Sequence, residues 1–297
     1  GSDDGNVYAV DAESGEEKWR FETGDRVSGS AAVMDGVVYI GSHDRHLCAI
    51  DAASGEEIWR FQGRGPMVAS PAVGFGLVFG GYTAWSGGGI PGIDIETGRE
   101  VWRYRQSAGP QGLASPAIDG LTLYCPTPSI WCYAADIRTE YPRWTNHGGA
   151  SHVPAAIWED LYIALDQGLM VIIRDRETGE RLVRRDIPDQ RFPMSAPTVH
   201  DGMLFFGDDY GVFRALDART AEDRWQFEAG ASIQSSSAWA DGVLYFGSND
   251  GRLYALDAAT GAEKWRLDLG DKVRSSPWPS DGTLYVGCDD GRLYAIH

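Results

Sequence analysis

Apolar and polar residues alternate along this chain with a period of two. Runs such as VLYFG from Val243, RLYALD from Arg252 and EKWRL from Glu263 each stop at Gly, Asp or Asn. Short period-two runs with turn residues at every break predict antiparallel strands joined by tight turns. One segment then recurs: DAESGEEKWRF from Asp11, DAASGEEIWRF from Asp51, DIETGREVWRY from Asp94, DARTAEDRWQF from Asp217 and DAATGAEKWRL from Asp257. Two eroded copies complete the set, DIRTEYPRWTN from Asp136 and DRETGERLVRR from Asp175.

The anchor positions are Trp19, Trp59, Trp102, Trp144, Val183, Trp225 and Trp265, spaced 39 to 43 residues apart. Around each anchor lie a small-residue strand, a DG-type turn, an alternating strand, a second turn and an RLYALD-like strand. Four strands per repeat of about 40 residues is the geometry of a propeller blade. The expected fold is all-β: a single domain over 1–297, a seven-bladed β-propeller of four-stranded antiparallel blades. The chain starts inside a unit, with its third and fourth strands, and finishes with RSSPWP, GTLYVG and RLYAIH, so the ring is expected to close by a blade shared between the N- and C-termini. Its fourth strand would come from about 15–22 and its other strands from about 274–296. Such sharing removes an open sheet edge. Both GSDDGNVYAV and GCDDGRLYAI supply a third strand, so one copy is redundant, displaced or a fifth strand. GSDDG matches the repeat, so Gly1 and Ser2 read equally as native or as added residues.

In D-x-x-[TS]-G the aspartate can accept bonds from amides two or three residues on, and the glycine supplies a left-handed turn residue. A tryptophan four residues later can wedge between blades and give its indole N–H to a backbone acceptor. Trp19, Trp59, Trp102, Trp144, Trp225 and Trp265 are therefore assigned to blade docking, not chemistry. Acid pairs such as Glu16–Glu17 and Glu56–Glu57 read as a solvated rim.

The pattern [AI]-x-D-x-x-[TS]-G-x-x-x-W, with S-S-P-A-V and DG-x-[VL]-Y-x-G, resembles the pyrroloquinoline quinone (PQQ)-like repeat over essentially the whole chain. That family includes quinoprotein alcohol and glucose dehydrogenases, the propeller lipoprotein of the outer-membrane β-barrel assembly machinery, and extracellular sensor propellers of bacterial serine/threonine kinases. Eight blades are common there, against the seven counted here. The dehydrogenases use adjacent cysteines as a disulfide lid over the quinone and a Glu/Asn/Asp calcium site. Cys125 and Cys132, seven positions apart, cannot form that lid, and no calcium triad is identifiable.

A formal charge of -17 repels phosphate backbones and argues against nucleic acid as a partner. No run approaches the about 18 apolar residues of a membrane helix. The four cysteines lack metal-ribbon spacing; Cys125 and Cys132 could be bridged across the CPTPSIWC hairpin or be two packed thiols.

Turns joining fourth to first strands and second to third strands emerge on one face, and in mid-chain these depart from consensus. GGYTAWSGGGIPG stands at Gly80, PTPS follows Cys125, DQG follows Leu165 and GDDYG follows Phe206. RQSAGPQGLAS, NHGGASHVPA and IPDQRFPMSA diverge too. Tyr82, Trp85, Gln111, His147, His152, Asp166, Arg191, Phe192, Met194 and Tyr210 form the candidate ligand or partner face, as exposed aromatic, histidine and arginine side chains. His147 and His152 lack a third metal ligand, no catalytic triad can be assembled, and GGGIPG is a loop rather than a nucleotide fingerprint.

The reading these features favour is a non-catalytic, extracytoplasmic binding, sensor or protein-interaction propeller. It would be a monomeric module of a larger protein in the periplasm or outside the cell, with its anchor or signal beyond these residues and no cofactor. It would take a protein or small-molecule ligand on the loop face, without inserting into a membrane. The alternatives are a PQQ-dependent dehydrogenase of alcohols or sugars, using PQQ with calcium, and a purely structural repeat.

Overall fold

The structure, a computed structural model, describes the chain apart from residues 83–88, 106–114, 127–130, 140, 148–152, 167–169 and 188–191. Every regular element among the described residues is a β-strand, so no helix there is long and apolar enough to cross a membrane. The strands group into two compact units, 1–152 and 153–297.

The first unit opens with a hairpin of Asn6–Val10 and Glu17–Glu22. Three four-stranded antiparallel sheets follow, here blade 1 (32–62), blade 2 (72–105) and blade 3 (117–147). The second unit holds blade 4 (156–186), blade 5 (198–228) and blade 6 (238–268). It ends with a three-stranded sheet of Trp278–Ser280, Thr283–Gly287 and Leu293–Ile296. The fold class is the seven-bladed β-propeller of four-stranded antiparallel blades. Among the pairings, Asn6–Val10 joins Glu17–Glu22 and Leu293–Ile296 joins Thr283–Gly287.

Blade 1 shows how local sequence builds each sheet. Met34 faces Val37 across a two-residue Asp35–Gly36 turn with both residues at positive φ, the mirror-image turn whose twist suits a hairpin. At the other end of the sheet, the amides of Ala53 and Ser54 donate to the Asp51 carboxylate at 3.0 and 2.8 Å. The same closure recurs at Asp11, Asp175 and Asp217. In the DARTA copy Ala221 takes the glycine position at φ 57, strained for an L-residue.

Neighbouring blades are locked in three ways. The indole N–H of Trp19, Trp59 and Trp225 donates to the carbonyls of Ala52, Ile95 and Ala258 at 3.0, 2.8 and 3.0 Å. Each ring lies on the turn glycine of the following repeat, Gly55, Gly98 or Gly261. Trp102 differs: its buried N–H has no acceptor among the described residues, and the facing copy is the eroded DIRTE turn. Trp144 is buried, and Trp265 is 38% exposed.

Second, start-of-blade serines form a relay. The amides of Ser30 and Ser70 donate to the hydroxyls of Ser70 and Ser115, and those of Ala196 and Ser236 to Ser236 and Ser276, at 2.9 to 3.1 Å. Third, the apolar core sits between blades. Ile163, Leu165 and Ile173 of blade 4 pack with Leu204, Phe206 and Leu216 of blade 5, and Phe205 and Phe213 of blade 5 with Phe246 and Leu256 of blade 6. Phe213 and Phe246 stack with centroids 4.2 Å apart. Full burial of such side chains contributes about 1.5–3 kcal/mol each.

All four thiols are free. Cys125 faces Tyr133 and Cys132 faces Pro126, so the two cysteines occupy successive rungs and point to opposite faces of the sheet. Of the two readings left open by the sequence, packed thiols are what the structure shows.

Candidate functional site

The loop face is built by one repeated device. A loop arriving from a fourth strand hydrogen-bonds to the turn between strands two and three. The amide of Asn249 donates to the Ser232 carbonyl at 2.9 Å, that of Asp289 to Lys272 at 2.9 Å and that of His43 to Arg26 at 3.0 Å. In blade 5 the equivalent bond runs from Asp209 to the Phe192 carbonyl at 3.1 Å. Phe192 therefore occupies the position held elsewhere by Arg26, Ser232 and Lys272.

The regular turns read Ser42-His43-Asp44, Ser248-Asn249-Asp250 and Cys288-Asp289-Asp290. Their third-position aspartates close the turn by accepting the amides of His46, Arg252 and Arg292 at 2.8, 3.1 and 3.0 Å. At the first position the Ser42 and Ser248 hydroxyls accept the third residue's amide. Blade 5 reads Asp208-Asp209-Tyr210 instead. Here Asp208, 0% exposed, does both jobs: its carboxylate accepts the amides of Tyr210 at 3.0 Å and Val212 at 2.8 Å. A buried side chain that accepts from two main-chain donors holds the turn firmly, with the Arg214 guanidinium 3.6 Å away. Because the closing carboxylate has moved to the first position, the third is free to carry Tyr210, 65% exposed.

Phe192, 51% exposed, is held beside it. Its amide donates to the Asp209 carboxylate at 3.0 Å, the Met194 amide donates to the Gly207 carbonyl at 3.2 Å, and the Ser195 hydroxyl accepts the Gly207 amide at 2.7 Å. Two exposed aromatics thus stand on hydrogen-bonded turn backbone. Such a surface can bury apolar area against a partner with little ordering cost.

The other expected residues distribute as follows. Tyr82 is not an exposed aromatic: at 1% exposure it packs with Tyr39, Trp59 and Met67, and its hydroxyl accepts from the Arg103 guanidinium at 2.6 Å. A ring with a hydrogen-bonded hydroxyl gains more inside than at the surface. His147 ends the strand Pro142–His147, and Asp166 is half-buried at the end of Leu161–Asp166. Trp85, Gln111, His152 and Arg191 lie outside the described residues. Tyr82 and His147 belong to the first unit, and Asp166, Phe192, Met194 and Tyr210 to the second. Among the described residues no three His, Cys, Asp or Glu side chains group to hold a metal ion. Sequence reading missed Asp208 and Asp209; comparing the turns position by position, GDDYG against GSNDG, carries that signal.

Repeated four-stranded blades, tryptophan docking and an exposed loop surface define a PQQ-like repeat propeller. The chain belongs to the family described as outer membrane protein assembly factor BamB, whose profile matches residues 3–187, 143–239 and 212–297. BamB from Moraxella catarrhalis superposes with a TM-score of 0.83 at 19% identity, over 99% of this chain and 92% of that one. A europium-containing methanol dehydrogenase superposes with a TM-score of 0.79 at 15% identity, over 98% and 78%. The serine/threonine-protein kinase AfsK of Streptomyces griseus is 32% identical over 172 residues, 51% of this chain and 20% of the kinase. The chain thus matches only a fifth of that kinase's length.

Proposed function

We propose that the chain is a non-catalytic binding or sensory propeller that works outside the cytoplasm as a module of a larger protein. On this reading the loop face of blade 5 receives a protein partner. The observation that carries it is the transfer of turn closure to Asp208, which leaves Tyr210 exposed beside Phe192. The relatives add support: one is an assembly factor and another a kinase, and a partner-binding propeller suits both settings.

Affinity capture from envelope extract tests this with wild type, Phe192→Ala and Tyr210→Asp, each checked for folding by circular dichroism. Tyr210→Asp restores the consensus turn, so it removes the aromatic without removing the fold. Partners held by wild type and lost from both variants support the site. The same partners on all three proteins overturn it.

The dehydrogenase reading has the shared fold in its favour. The four cysteines, at 48, 125, 132 and 288, include no adjacent pair to cover a quinone. Dye-linked oxidation of alcohols or sugars after adding PQQ and calcium would overturn the non-catalytic assignment.

A further inference from the structure

In the turn of blade 1 the fourth position is Arg45, at φ 78. The equivalent residues Gly5, Gly211, Gly251 and Gly291 have φ of 83 to 89. A side chain other than glycine's is strained there, and this one is an exposed guanidinium.

Main-chain bonds bring two more arginine-bearing segments to that turn. The His43 amide donates to the Arg26 carbonyl, the Met67 amide to Ser42 at 3.0 Å, and the Gly63 amide to the Arg45 carbonyl at 2.7 Å, with Arg64 next in sequence. Arginines elsewhere are commonly matched to carboxylates, as Arg60 is to Glu57, Arg219 to Asp160 and Arg274 to Asp289. Among the described residues Arg26, Arg45 and Arg64 have no ion pair. Of the nearby carboxylates, Asp25 accepts the Arg26 amide and Asp44 accepts those of Gly24 and His46, while Asp3 lies close enough to act on His43 without pairing to any of the three arginines.

His43 completes the group. Its Nδ1 accepts from Arg26 Nε at 3.4 Å, so Nε2 carries the proton and donates to the Ser28 hydroxyl at 2.9 Å. That leaves the Ser28 O–H free to donate outward. In a chain of net charge -17 the distant field is screened beyond about 10 Å at ordinary ionic strength, so a local cluster can still attract an anion.

We propose that Arg26, Arg45, Arg64 and Ser28 form a binding site for an oxyanion group, a phosphate or a carboxylate. Guanidinium groups without a carboxylate partner supply charge and donors, and the hydroxyl supplies one more. The site belongs to the first compact unit and does not rest on the blade 5 surface.

The test follows the His43 ring by NMR while inorganic phosphate, acetate or sodium chloride is added at matched ionic strength and neutral pH. Saturable shifts with phosphate or acetate, absent with chloride, are expected. Phosphate binding about tenfold tighter than acetate identifies a phosphoryl ligand, and comparable binding a carboxylate. Arg45→Gly separates the site from mere sequence drift: it should raise the melting temperature while weakening anion binding about tenfold. Arg26→Gln should weaken binding similarly in a protein of unchanged stability. Shifts that never saturate above the chloride control, or wild-type affinity in both variants, overturn the proposal.

Discussion

Phe192 and Asp209 are tied in both directions: the Phe192 amide donates to the Asp209 carboxylate, and the Asp209 amide returns to the Phe192 carbonyl. The bond pair ties the Phe192 backbone to the residue next to Tyr210. The surface therefore depends on the turn chemistry beneath it.

That dependence is measurable. Asp208→Ala removes a buried acceptor of two amides and should cost about 2–3 kcal/mol in urea denaturation. Adding Tyr210→Asp supplies the third-position carboxylate used by Asp44 and Asp250 and should restore about 1 kcal/mol. Additive losses in the double-mutant cycle would show that closure had not moved between the two positions.

Two glycines with the same backbone angle isolate the docking contact. Gly15 and Gly261 both have φ 73, but an added Cβ meets nothing within 4 Å at Gly15 and lies 2.5 Å from Trp225 at Gly261. Gly15→Ala should cost about 1–2 kcal/mol, the left-handed strain alone. Gly261→Ala should cost at least about 1 kcal/mol more, because the indole must shift. Equal losses in denaturant melts would deny the contact its energetic role.

Burial pushes the Cys48 thiol up to about 12 and the Cys125 thiol higher still. Only Cys288 is partly exposed. With a thiol-specific dye at about pH 8, one cysteine should react quickly in the native protein and all four in urea. Two missing thiols in urea would mean a disulfide and contradict the free pair.

The repeat aspartates make the fold acid-sensitive. The Arg224 hydrogen bond, helped by the Thr220 amide, lowers Asp217 to about 2, and the Ser54 amide lowers Asp51. Asp11, Asp94, Asp175 and Asp257 shift the same way. The folded state then binds fewer protons than the unfolded one, so this stability is complete above the unfolded carboxylate pKa of about 3.9. It is lost as pH falls toward about 2. Melting temperatures should hold down to about pH 4 and then drop, with a shallower drop for Asp217→Asn.

Strand positions, the two-residue DG turns, the D-x-x-[TS]-G closures and the blade repeat were legible along the chain because each is local: period-two burial and a few side-chain-to-backbone bonds within five residues decide them. The tertiary structure alone decided what each loop residue does. Tyr82 sits in a loop that diverges like the one bearing Tyr210, yet Arg103 from another strand meets its hydroxyl and the ring is buried. Tyr210 is exposed because Asp208 beneath it is not. Cys125 and Cys132 are a hairpin apart in sequence, and a one-rung offset turns them to opposite faces. Burial depends on which groups from distant segments arrive at a position, and alternation along one strand carries no record of them.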